Sequence, residues 1–142
     1  MAGYNPYRRS GGSDKERLAL FFKETDKLLC IALWFKIGRN QERAENFIRD
    51  IAEENDIDEE ELTNTIKMVI ENPFSIKDIK DPIDEVQMLA VMENTDVIKY
   101  IERPTDGTQF HVVSTKKDNM KFIKNPAEMA KDLYKELKRR EN

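Results

Sequence analysis

One histidine, His111, one cysteine, Cys30, and five glycines, at 3, 11, 12, 38 and 107, make up a thin supply of the residues that usually carry catalysis. A loop that cradles phosphate needs glycines clustered between a strand and a helix, so that backbone N–H groups can converge on the anion. These five are scattered, and no such cluster exists. His111 lies in the apolar run Phe110-His111-Val112 with no second histidine as co-ligand, and it reads as an ordinary structural side chain. Cys30 lies in the run Leu28-Leu29-Cys30-Ile31-Ala32-Leu33-Trp34-Phe35, the setting of a core thiol rather than a nucleophile. A lone cysteine also excludes an intrachain disulfide and any cysteine-based zinc site.

Carboxylates are abundant, and the densest group is Asp56, Asp58, Glu59, Glu60 and Glu61. A calcium loop opening at Asp56 would need glycine at its sixth position and glutamate at its twelfth. Glu61 and Lys67 stand there instead. Acids crowding the start of a helix suit its macrodipole, and that is the simpler explanation. The sequence therefore predicts a non-enzymatic protein with no catalytic residue, metal or cofactor.

Charge is the more informative signal. Residues 1–39 hold eight Lys/Arg against four Asp/Glu, residues 40–98 hold five against seventeen, and residues 99–142 hold eleven against seven. An acidic middle is flanked by basic ends. Arg8 and Arg9, with Tyr4 and Tyr7, form a cationic arm; Lys116, Lys117, Lys121 and Lys124 form a second basic group; Lys138, Arg139 and Arg140 load the C-terminal end. Lysine and arginine beside aromatics are what DNA or RNA contact requires, so these are the expected nucleic-acid-binding residues. A protein partner or a second copy could instead use Glu59, Glu60 and Glu61, or the seam Met129, Leu133 and Leu137 at i, i+4, i+8.

These groups must be positioned by a mostly helical chain. Its 142 residues suit one domain over 13–142, preceded by a flexible arm over 1–12. Ser13 and Glu16 form a capping box for a helix closed by Gly38, with Thr25-Asp26 able to start a second helix within it. Ala44, Phe47, Ile48 and Ile51 mark a helix over about 40–54. Asp58 and Glu61 cap another, with Leu62, Ile66, Val69 and Ile70 inward, ended by Pro73. Asp81-Pro82 and Asn125-Pro126 signal two further helix starts. The β-branched and aromatic runs Val97–Ile101 and Thr108–Val113, separated by Arg103-Pro104-Thr105-Asp106-Gly107, predict an antiparallel hairpin. No internal repeat stands out. The run from Leu28 to Ile37 is interrupted by Lys36 and is shorter than the ~20 residues a bilayer requires. No secretory h-region precedes it, so a cytoplasmic protein without a membrane partner is expected.

Ala52, Ile57, Leu62 and Ile66 are spaced like the contacts of a helix-turn-helix, and residues 86–113 read as a helix followed by two strands. Over about 40–115 the chain resembles winged helix-turn-helix proteins. The resemblance implies a second helix entering the major groove and a hairpin wing on flanking backbone. Asp56 occupies the turn position where that family usually has glycine, and Asp58-Glu59-Glu60 would turn carboxylates toward phosphate. DNA contact is therefore expected from the basic ends. The sequence-based expectation is an α+β domain of about five helices and one two-stranded hairpin, in a modified winged-helix arrangement. Its expected role is a small regulatory or accessory factor acting on nucleic acid or a nucleic-acid-bound assembly, with a protein-interaction adaptor or inhibitor as the alternative.

Overall fold

A computed structural model describes residues 14–141. The arm over 1–12, with Arg8 and Arg9, and the Ser13 cap lie outside the described residues. Two compact units divide the chain, one ending at Asn72 and the other beginning at Pro73.

The first unit is three helices, α1 (Asp14–Ile37), α2 (Gln41–Asn55) and α3 (Glu59–Glu71), each packed on the other two. Thr25 turns its hydroxyl back to the Phe21 carbonyl at 2.8 Å instead of capping a new helix, so α1 is continuous. Phe21, Leu28, Ile31 and Ala32 form its buried face. Gly38, at φ 72°, takes the left-handed position after the last turn and donates its N–H to the Trp34 carbonyl at 2.8 Å. Of the expected α2 stripe, Ala44, Ile48 and Ile51 are buried; Phe47 is half-buried, 5.5 Å from the Arg43 guanidinium and 5.9 Å from the Lys27 ammonium. Asp56 ends α2 in the left-handed region at φ 53°, ψ 49°, and the Ile57 N–H closes onto the Ala52 carbonyl at 2.9 Å. Asp58 caps α3 by accepting from the Glu61 N–H at 3.0 Å, and Leu62, Ile66, Val69 and Ile70 point inward as the spacing requires.

The second unit overturns the hairpin. Val97–Ile101 lies in and just beyond a 3-10 helix, Thr95–Tyr100, and Thr108–Val113 lies within an α-helix, Asp106–Thr115. No strand occurs among the described residues, so the α+β class and the wing are both corrected to an all-helical arrangement. The burial pattern gives the reason. A strand would bury alternate residues, whereas Gly107, Thr108 and Gln109 are buried together, followed by Val112 and Val113. The supposed turn Arg103–Gly107 is a helix start: Thr105 caps it, accepting from the Thr108 N–H, with Pro104 just outside.

A second correction concerns repetition. The unit repeats a 3-10 helix, a bend and an α-helix three times: Pro73–Asp78 with α4 (Asp84–Glu93), Thr95–Tyr100 with α5 (Asp106–Thr115), and Lys117–Phe122 with α6 (Glu128–Glu141). Every element starts 22 residues after its predecessor of the same kind. Backbone detail repeats with it. Asn72, Asn94 and Lys116 precede the three 3-10 helices at φ −147°, −157° and −148°, and Ile83 and Thr105 precede α4 and α5 at φ −68°, −71°. Neighbouring α-helices stack on one another, and so do neighbouring 3-10 helices, giving two layers of three. Ile76 and Ile98 are buried at equivalent positions between them, as are Ile101 and Ile123. Each repeat covers apolar surface its neighbour would otherwise expose, which is the logic of a solenoid.

Two buried glutamines join the repeats. Gln87, 3% exposed, donates its amide to the Pro82 carbonyl at 3.0 Å and the Arg103 carbonyl at 3.3 Å, and accepts from the Thr105 N–H at 2.9 Å. Gln109, 4% exposed, donates to the Pro104 carbonyl at 2.9 Å and accepts from the Ala127 N–H at 2.7 Å. Each therefore ties the bend before its own helix to the bend before the next. The third such position is Lys131, which instead bonds Glu128 on its own helix at 3.2 Å.

Candidate functional site

The 3-10 layer presents the same position three times as lysine: Lys77, Lys99 and Lys121, all exposed. The following position carries Asp78, Tyr100 and Phe122. A residue's orientation repeats with the backbone, so these pairs line one side of the stack. Phe74 and Tyr100, from successive repeats, meet edge to face with centroids 5.7 Å apart. The Lys99 ammonium lies 5.5 Å from the Tyr100 ring centre and 5.9 Å from that of Phe122 in the next repeat, while Lys121 sits 5.2 Å over Phe122. Cation and ring thus alternate across the second and third repeats. Tyr100 is 46% exposed and Phe122 38%.

The expected basic residues are distributed unequally around this strip. Lys121 belongs to it, and Lys124 is exposed two residues beyond Phe122. Lys116 and Lys117 are spent inside the unit. Lys116 pairs with Asp96 at 3.1 Å; Lys117 pairs with Asp118 at 3.4 Å and with Glu141. Hydrogen bonds from the buried Asn119 amide and from Lys116 hold the Asp96 carboxyl below its ordinary range. The bond to Glu141 holds the Lys117 ammonium above its own. On α6, Arg139 and Arg140 both bond Glu136, at 2.6 Å and 3.2 Å, and Glu136 is shifted down accordingly. Lys138 is exposed. No salt bridge among the described residues holds Lys77, Lys99 or Lys121. The C-terminal cluster is therefore partly paired, whereas the strip lysines form no salt bridge; Asp78 stands next to Lys77 in the chain, and Lys99 acts on Asp96 only through space.

The expected partner-binding residues do not converge either. Glu59, Glu60 and Glu61 are exposed in the first turn of α3, with Glu59 facing Arg49 at 4.0 Å. Glu60 and Glu61 border a shallow open depression with Asp58, Asn64, Thr65 and Met68. Met129, Leu133 and Leu137 are half-buried on α6, which packs on α5 and buries Ala130. Besides Met68, Tyr100 and Phe122, the exposed large apolar side chains among the described residues are on α1, where Phe22, Leu29, Leu33 and Ile37 form one stripe.

Among the described residues no group of three or more His, Cys, Asp or Glu side chains is arranged to hold a metal ion. His111 is half-buried on α5, and burial alone holds its imidazole below the ordinary pKa of 6.5. Protonation then favours the unfolded chain, so this stabilisation is complete above pH 6.5 and is lost as pH falls from there through the lowered folded value. The expected result is that the thermal midpoint drops on acidification below that pH, and drops less in His111→Gln. Parallel midpoint curves for the two proteins would contradict it.

The lysine–aromatic strip was missed because its members are far apart in sequence and sit among ordinary charged residues. The signal that finds it is the 22-residue period: Pro82, Pro104 and Pro126; Gln87 and Gln109; Ile79, Ile101 and Ile123; Lys77, Lys99 and Lys121. No helix among the described residues is long and apolar enough to cross a membrane. No protein-family model, curated protein or solved structure matches the chain.

Proposed function

We propose that this chain is a non-enzymatic binding protein of the cytoplasm whose repeat unit takes a nucleic acid on its 3-10 layer. The observation that carries the reading is the recurrence of Lys77, Lys99 and Lys121 on one side of the stack, none of them in a salt bridge among the described residues. The unit's sequence, residues 73–142, holds thirteen Lys/Arg and thirteen Asp/Glu, so net charge alone would attract nothing. Asp96, Asp118 and Glu136 form their salt bridges with Lys116, Lys117, Arg139 and Arg140, so the strip lysines have no close ion pair to break on meeting an external anion. Lys99 and Lys121 form no salt bridge among the described residues, although Lys99 feels the Asp96 carboxylate through space; their ring contacts are worth about 0.5–1 kcal/mol at exposed sites. A charge-assisted bond to phosphate, at about 1.5–3 kcal/mol, outcompetes that hold. The buried thiol of Cys30 suits a reducing compartment.

Fluorescence anisotropy of labelled oligonucleotides at two salt concentrations tests this. Binding should weaken with salt, and Lys99→Glu combined with Lys121→Glu should cost at least about ten-fold in affinity. The double variant should also flatten the log–log salt slope by about 1.4, from ~0.7 per phosphate contact on a single strand. Affinity unchanged by these substitutions would remove the strip from the reading. A second reading, a protein-interaction adaptor, is favoured by the apolar stripe on α1. It takes precedence if no oligonucleotide is retained at low salt.

A further inference from the structure

We infer that Tyr100 and Phe122 are stacking platforms for unpaired bases, so that the strip selects single-stranded over double-stranded nucleic acid. The inference rests on the reading above and names the form of its ligand. The two rings occupy the same position in successive repeats, both are substantially exposed, and a lysine ammonium lies over each. Such a ring is a poor choice for solubility, but it is a suitable surface for the flat face of a base once the ammonium swings aside to a phosphate. The Lys99 ammonium lies near both rings, so one side-chain movement lifts it from Tyr100, which Phe74 still braces edge to face, and reaches toward the backbone between two stacked bases. Asp78 replaces the ring in the first repeat, so the platform among the described residues offers two rings. A duplex keeps its bases stacked on each other and can offer the lysines only its phosphates. An acidic peptide would likewise use the lysines and leave the rings idle.

The test uses the full chain and four probes: a decathymidylate, a ten-phosphate abasic strand, a hairpin duplex and a polyglutamate peptide. A decauridylate arm distinguishes RNA from DNA. The decathymidylate should bind at least ten-fold tighter than the abasic strand. Tyr100→Ala with Phe122→Ala should abolish that preference while changing abasic affinity less than two-fold. Tyr100→Phe, which keeps the ring, should retain the preference, separating stacking from misfolding. In a Trp34→Phe background, Phe122→Trp emission should be quenched by the decathymidylate and not by the abasic strand. Equal affinity for thymidylate and abasic strands, a duplex or polyglutamate bound as tightly as thymidylate, or an unquenched tryptophan would overturn the stacking assignment and leave salt-dependent polyanion binding standing. Failure of every polyanion to bind at low salt would overturn the broader reading as well.

Discussion

Gln87→Ala is expected to destabilise the repeat unit by about 3 kcal/mol. The side chain satisfies three backbone groups, the Pro82 and Arg103 carbonyls and the Thr105 N–H, from an almost fully buried position. A buried polar group left without its partner costs about 1–3 kcal/mol, and water entering the vacated space recovers part of the total. Gln87→Glu keeps the acceptor but confronts two carbonyls with a carboxylate, so it should be no better than alanine. Lys131→Gln supplies the control: the residue stands at the same place in the third repeat, bonds Glu128 on its own helix instead of a bend, and its replacement should leave the urea midpoint where it was. Urea denaturation at unchanged slope measures all three. A loss below about 1 kcal/mol for Gln87→Ala would show that the bends hold their places without the amide.

Ile98→Ala should cost about 3–4 kcal/mol. Ile98 has no exposure and lies in the central 3-10 helix, covered by a neighbour on each side and by the helical layer. Truncation removes three carbons from a site that neighbouring repeats prevent from collapsing, so the cavity adds to the lost transfer free energy. Met120, the equivalent residue of the last repeat, is only half-buried, and Met120→Ala should cost about half as much. A gradient from the centre of the stack to its end is the signature of nearest-neighbour stabilisation. Equal losses at Ile98 and Met120 would argue for a core of another kind.

The first unit was legible because each of its signals is local. Asp58 reaches the Glu61 N–H, Gly38 takes a positive φ, Asn72 before Pro73 leaves the helix, and Leu62, Ile66 and Val69 keep a helical spacing over several turns. Before α6, the second unit has no helix longer than ten residues, too short for periodicity to declare itself. Its α4 and α5 are covered by neighbours, so Val86 to Val91 are buried without interruption and show no polar face. Short β-branched runs such as Val97-Ile98 then resemble strands, although they fill single turns of 3-10 helix. The helix starts at Asp81-Pro82 and Asn125-Pro126 were placed too early: α4 opens at Asp84 and α6 at Glu128, with each proline two residues ahead. The basic residues were legible as types but not as a surface. Lys116 and Lys117 look identical to Lys121 in sequence, and only folding brings Asp96 and Glu141 to the first two.

Lys131 also bears on how such a chain can change length. Each glutamine joins the bend before its own helix to the bend that follows, so no tie reaches further than one rung and nothing upstream registers how many come after. A duplicated copy of residues 95–116, spliced in after Lys116, would leave every junction in phase. An insert of any other size would rotate the downstream lysines and rings off their common side. Growth of the family of surfaces available to this scaffold is thereby quantised, one whole module at a time.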